Sequence, residues 1–205
     1  MNLFNLLISL GLLMVAMSVH EFSHGWVAYK LGDNTARYSG RLTLNPLAHI
    51  DPIGTILLPL FLFITTRGQF VFGAAKPVPI NYLALKNPRR DMVWIGLSGP
   101  LSNFIFAFIL SLPLRFSPLP GPLNFMIKNL IFINVILGVF NLIPIPPLDG
   151  SRVLMGILSQ SLASKYALIE PYGFIIVMAS VVMGLIDKVV WPAVNFLLLF
   201  LLPRF

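Results

Sequence analysis

Cysteine is absent from this 205-residue chain, which excludes disulfides, thiolate nucleophiles and sulfur ligation of a metal. Charge is almost as scarce. Asp, Glu, Lys and Arg make up 10% of residues, against about a quarter in a soluble domain. Three histidines and seven acidic residues are the whole stock from which a metal site or an acid-base pair could be built. What is abundant is apolar surface: 57% hydrophobic residues and a mean hydropathy of +0.87. Since one helical crossing needs about 20 apolar residues, the chain reads as an all-α polytopic membrane protein. It is expected to have about five transmembrane helices, a short re-entrant or interfacial segment and small β elements. Residues 1–205 form a single expected domain, with a core over about 1–160 and C-terminal helices over about 170–203.

The net charge of +7 would raise nucleic acid as a partner of a soluble protein. Here Lys and Arg sit in loops and at helix ends, where they set topology and meet lipid headgroups. Nucleic acid is therefore not expected, the lipid bilayer is, and self-association into a homo-oligomer is compatible with the composition. The first apolar run has no preceding Lys or Arg and no convincing cleavage site before His20, so it reads as a retained helix rather than a signal peptide.

Along the chain, a first helix is expected over about 2–30. A polar stretch follows, with alternation at 41–44 that suggests a short strand. The apolar segment 53–66 is brief and carries Pro59 in its middle, which suits a re-entrant element better than a crossing. A second strand is expected at 69–72. Further helices are expected over about 92–114, 125–142 and 151–164, and the last two apolar stretches, 171–186 and 189–202, are divided by Asp187 and Lys188.

One segment breaks the apolar pattern. SVHEFSHGW at 18–26 spends two of the three histidines and one of two glutamates within five positions, inside the first helix. Positions i and i+4 share a helix face, so His20 and His24 can grip one metal ion, with Glu21 placed to act as general base on a water. His-Glu-x-x-His is the zinc metallopeptidase signature. A single histidine in such a helix is ordinarily a bundle-facing hydrogen-bonding residue, but ionisable groups at membrane depth are costly and functional by default.

A catalytic zinc takes a third protein ligand and keeps an open position. Asp149, in a proline-broken loop ahead of Gly150, is the best candidate. The lesser alternative is a cap for the helix that starts at Gly150. His49, in a polar loop, is the competing ligand or proton carrier, although a surface or loop-bracing histidine is its default reading.

Topology offers an independent check. For His20, His24 and Asp149 to meet, an even number of crossings must separate the first helix from the helix before Asp149. Treating 53–66 as non-spanning gives two. With the N-terminus outside, all but Arg115, Lys128 and Lys188 of the 14 Lys and Arg residues then fall on the cytoplasmic side, as the positive-inside rule requires. The site is thereby expected toward the cytoplasmic face.

HEFSH at 20–24 together with NLIPIPPLDG at 141–150, an Asn-x-x-Pro-x-x-x-x-Asp-Gly pattern, resembles the site-2 proteases, which are intramembrane zinc metallopeptidases. GRLTLNPLAHIDPIGT, AKPVPIN and SGPLSN resemble the compact bacterial and archaeal branch, so the likeness extends over about 18–155. The resemblance implies one zinc per chain held by His20, His24 and Asp149, Glu21 as general base, and Asn141 near the metal to bind or polarise the scissile carbonyl. It also implies a membrane-protein substrate cut in or near a transmembrane helix, a prokaryotic plasma membrane, and a role in regulated intramembrane proteolysis. Asn103 in SGPLSN is a second asparagine candidate, with packing and function equally weighted. No PDZ-like or nucleotide-binding stretch accompanies the motifs. The rival readings are a metal-binding transporter, which would need a polar path across the membrane, and an inactive scaffold, which would not need Glu21.

Overall fold

The protein is described from a computed structural model, over residues 3–67, 73–116 and 119–202. Its elements are helical. Helix α1 spans Leu3–Lys30, and a short turn α2 (Thr35–Tyr38) follows. A π-helical turn, Pro52–Leu57, runs into α3 (Leu58–Thr65). Then come α4 (Pro88–Phe116), α5 (Gly121–Asn141), α6 (Asp149–Ile157), α7 (Gln160–Ala167), α8 (Gly173–Val182) and α9 (Leu185–Leu201).

Four helical stretches are long and apolar enough to cross a membrane: Phe4–Lys30, Pro88–Phe116, Gly121–Asn141 and Gln160–Val182. This is an integral membrane protein. The large apolar side chains on the outside, such as Phe108, Phe174 and Phe200, would be an aggregation liability in water and instead meet lipid. The expected fifth crossing is not among the four: α8 is counted within Gln160–Val182, and α9 has 17 residues, with Asp187 in its first turn. The break between them falls at Gly184, whose φ of +66° is costly for residues with a Cβ. Asp187 thus sits at a helix start, where the dipole favours it, rather than dividing two spans. The expected helix over 151–164 is split into α6 and α7 around Leu158 and Ser159.

The re-entrant expectation at 53–66 corresponds to the π-helical turn and α3. Their six and eight residues rise about 21 Å, short of a hydrocarbon core of about 30 Å. Pro59 lies where the π-helical turn passes into α3, and the Gly54 carbonyl, five residues before it, accepts the Ala74 N–H instead. Residues 41–44 form no strand; they turn and bend, with the Asn45 side chain accepting from Leu47 N–H to start a single helical turn. The other expected strand, 69–72, lies outside the described residues.

Helix α4 is the hub, packed against α1, α5 and α6. One apolar core joins α4, α5, α8 and α9 through Ala107, Ile131, Val135, Val177, Val190 and Val194. A second, around Ala28, Leu85 and Ile95, holds the C-terminal end of α1 beside the start of α4. Gly150 lets α6 begin against α5: a Cβ there would lie 2.2 Å from the Leu142 carbonyl oxygen.

Candidate metal centre

Helical spacing places His20 and His24 on the same face of α1, with ring centroids 4.6 Å apart and planes at 86°. The turn after α5 returns the chain so that Asp149, first residue of α6, meets both rings. Its Oδ2 lies 3.0 Å from His20 Nε2 and 3.2 Å from His24 Nε2, and the two Nε2 atoms are 3.0 Å apart. Among the described residues these three are the one group of His, Asp and Glu side chains whose ligand atoms converge this closely.

The partners of the other ring nitrogens decide what the convergence means. His24 Nδ1 is 2.7 Å from the Ile95 carbonyl oxygen, which can only accept, so Nδ1 carries the proton and Nε2 a lone pair. His20 Nδ1 is 2.6 Å from Asn103 Oδ1. The Asn103 amide is oriented by its nitrogen, which donates to the Ala16 carbonyl and to Asn134 Oδ1, while Asn134 donates in turn to the Leu130 carbonyl. His20 Nδ1 is therefore also a donor, and its Nε2 also bears a lone pair.

Two lone pairs and a carboxylate oxygen then face one another at about hydrogen-bond distance with no proton between them. Asp149 Oδ2 is correspondingly a buried acceptor without a hydrogen-bond donor. That arrangement is repulsive unless a cation occupies the centre, either a proton on one Nε2, which makes an ion pair with Asp149, or a metal ion. Tetrahedral zinc with bonds of about 2.0–2.2 Å holds its donors at about 3.4 Å from one another, close to these separations. Two imidazoles, one carboxylate and an open fourth position fit zinc. Burial pushes the Asp149 carboxyl up, and positive charge at the imidazoles more than reverses this, holding it well below the usual carboxylate range. A metal ion at the same point acts in the same direction.

Gly99 on α4 makes room for the rings: a Cβ there would lie 2.4 Å from His24 Nε2. A cavity of about 310 Å³ opens over the three donors and is also lined by Glu21, Asn141, Tyr82 and Arg152. Glu21 Oε2 accepts the Val78 N–H at 2.7 Å, which leaves Oε1 for other partners. Asn141 spends one amide proton on the Leu137 carbonyl of its own helix at 3.0 Å, and its second is uncommitted. Burial pushes the Tyr82 phenol up, against the opposing Arg152 guanidinium, which lies 5.9 Å from its ring centre. Arg152 is itself paired with Glu170.

All five sequence candidates, His20, Glu21, His24, Asn141 and Asp149, thus border one cavity. His49 does not. Its Nε2 donates to the Thr43 carbonyl at 2.9 Å and its own carbonyl accepts from Lys76 N–H, so it braces a loop. Asn103 resolves as a partner of a metal-facing imidazole. Asn134 escaped the sequence reading, being one of several asparagines on α5.

A membrane-embedded helical bundle with two histidines and a carboxylate converging beside a glutamate has the residue set of a metallopeptidase. Residues 119–184 match Peptidase family M50. Over nearly its whole length the chain is similar to YwhC of Bacillus subtilis, whose name places it among zinc metalloproteases: 39% identity over 192 residues, 89% of this chain and 84% of YwhC. Rip2 of Mycobacterium tuberculosis, also named as a zinc metalloprotease, is 34% identical over 69% of this chain and 53% of its own length. Zinc metalloprotease MJ0392 of Methanocaldococcus jannaschii is 30% identical over 73% of this chain, which spans 34% of that relative. No solved structure matches the chain. The chain belongs to the M50 peptidases and is a zinc metalloprotease of the site-2 protease type.

Proposed function

We propose that the protein hydrolyses peptide bonds in or near transmembrane segments of other membrane proteins, with His20, His24 and Asp149 as zinc ligands and Glu21 as general base. The observation that carries this reading is the convergence of three lone-pair donors within 4.8 Å of one another in a cavity shared with Glu21. Zinc in a three-donor site supplies Lewis acidity and an acidified water.

Glu21 takes the proton of the attacking water on Oε1 and returns it to the leaving nitrogen, while the Val78 N–H fixes the other carboxylate oxygen and with it the direction of the base. Asn141 offers its uncommitted amide proton to the oxygen on which negative charge develops. His20 is held in its donor-inward tautomer by Asn103, so its lone pair stays aimed at the metal. A substrate helix satisfies its own backbone hydrogen bonds and therefore has to unwind locally before a carbonyl reaches this cavity.

The distribution of Lys and Arg supports a site toward the cytoplasmic face, and the bacterial and archaeal relatives support a prokaryotic plasma membrane. The test is reconstitution in vesicles with a panel of single-span substrates, followed by product masses. Cuts within or beside the spans are expected. Cleavage confined to soluble peptides, with every span left intact, would overturn the intramembrane reading.

A further inference from the structure

A second polar cavity, of about 330 Å³, lies where α1 ends and α4 begins, walled by Lys30, Lys86, Asn87, Arg90, Asp91 and Trp94 among others. It is separate from the metal cavity, and no residue lines both. We propose that it is a binding site for the phosphodiester headgroup of an anionic glycerophospholipid from the same leaflet.

The charges point to an anion. Among the described residues the ion pairs are those of His20 and His24 with Asp149 and of Arg152 with Glu170, so Lys30, Lys86 and Arg90 have no carboxylate partner. The one acid in the wall, Asp91, is 4% exposed and turned to the chain itself, accepting the Asn87 N–H at 3.0 Å. Neighbouring Arg89 is not available, since it bonds the Leu158 carbonyl. Three cations without a carboxylate partner against one internally engaged carboxylate leave an excess of positive charge around a recess large enough for a headgroup.

The position points to lipid rather than to a soluble anion. Lys30 is the last residue of α1 and Arg90 lies in the first turn of α4, both crossing helices, so the recess opens at the level of the headgroups. Trp94, 52% exposed, lines it, and Trp26, 46% exposed, lies beneath the Lys30 ammonium at 5.5 Å. Half-exposed tryptophans at a helix end are the interfacial belt, and basic pockets between helices bind anionic headgroups. A headgroup seated here bridges the ends of the two helices that bring His24 to the Ile95 carbonyl.

The test is native mass spectrometry of the full chain released from nanodiscs containing equal phosphatidylglycerol and phosphatidylcholine. Retained phosphatidylglycerol is expected on the unmodified chain. At about 1 kcal/mol per interfacial cation, each of Lys30→Gln, Lys86→Gln and Arg90→Gln weakens retention roughly fivefold and the triple variant about a hundredfold. A charge-matched control, Arg37→Gln with Arg67→Gln and Lys165→Gln, keeps the lipid. Equal loss in that control would reduce the effect to diffuse surface charge and overturn the site. Displacement of the lipid by inorganic phosphate at equal concentration would overturn the lipid assignment in favour of a free anion. The readout is bound mass, so it stands or falls independently of proteolysis.

Discussion

Nδ1 of His20 lies 2.6 Å from the amide oxygen of Asn103, and the nitrogen of that same amide is committed to Ala16 and Asn134. His20, a proposed zinc ligand on α1, is thus oriented through α4 by a residue of α5, entirely within the protein interior. Outer partners of metal-bound imidazoles typically contribute 10- to 100-fold in affinity. Asn103→Leu should weaken zinc binding by about that factor in a chelator competition. Asn134→Leu should cost less, because the Ala16 carbonyl still orients Asn103.

Gly99 has a steric role at the centre. With a Cβ only 2.4 Å from His24 Nε2, Gly99→Ala should displace the imidazoles and lower the zinc content per chain while far-ultraviolet circular dichroism retains the helical signal. Gly11→Ala, where nothing lies within 4 Å of the added carbon, is the control and should keep its metal.

Glu21, the proposed general base, is aimed from a distance. Arg41 donates to the carbonyls of Lys76 and Pro77 at 2.5 and 3.4 Å, and the next residue, Val78, donates to Glu21. Arg41→Met should release this segment and lower kcat by roughly tenfold through misdirection of Glu21, with zinc content and KM little changed. Loss of metal in that variant would place Arg41 in folding rather than in positioning.

Removing the ion should destabilise the fold, since it leaves three lone-pair donors facing one another. A ligand at a thousandfold excess over its Kd stabilises by about 4 kcal/mol. The chelated protein should therefore melt lower and recover on adding zinc. Asp149→Ala, lacking one donor, should show little such recovery.

The parts of this site legible in the sequence were those set by local periodicity. His20 and His24 share a helix face because of their spacing, and Asp149 was recognisable from the proline-broken turn before Gly150. The rest depends on how helices rotate against one another. Helix α5 carries Asn124, Asn129, Asn134 and Asn141, and only packing against α4 decides that Asn134 turns inward at 0% exposure. The bond from Val78 to Glu21 spans 57 residues through an irregular segment with no periodic signal. The strand expected at 41–44 failed because its alternation reflects Arg41 turning inward to brace a loop, not a pleated sheet. The break at Gly184 was masked by the more conspicuous charges at Asp187 and Lys188.

The most direct measurement is zinc content beside cleavage of a single-span substrate by the purified protein and its Glu21→Gln variant. Zinc near one per chain in both, with cleavage lost only in the variant, is the predicted result. Equal cleavage by the two, or a folded wild-type protein that binds no metal, would contradict the proposed chemistry.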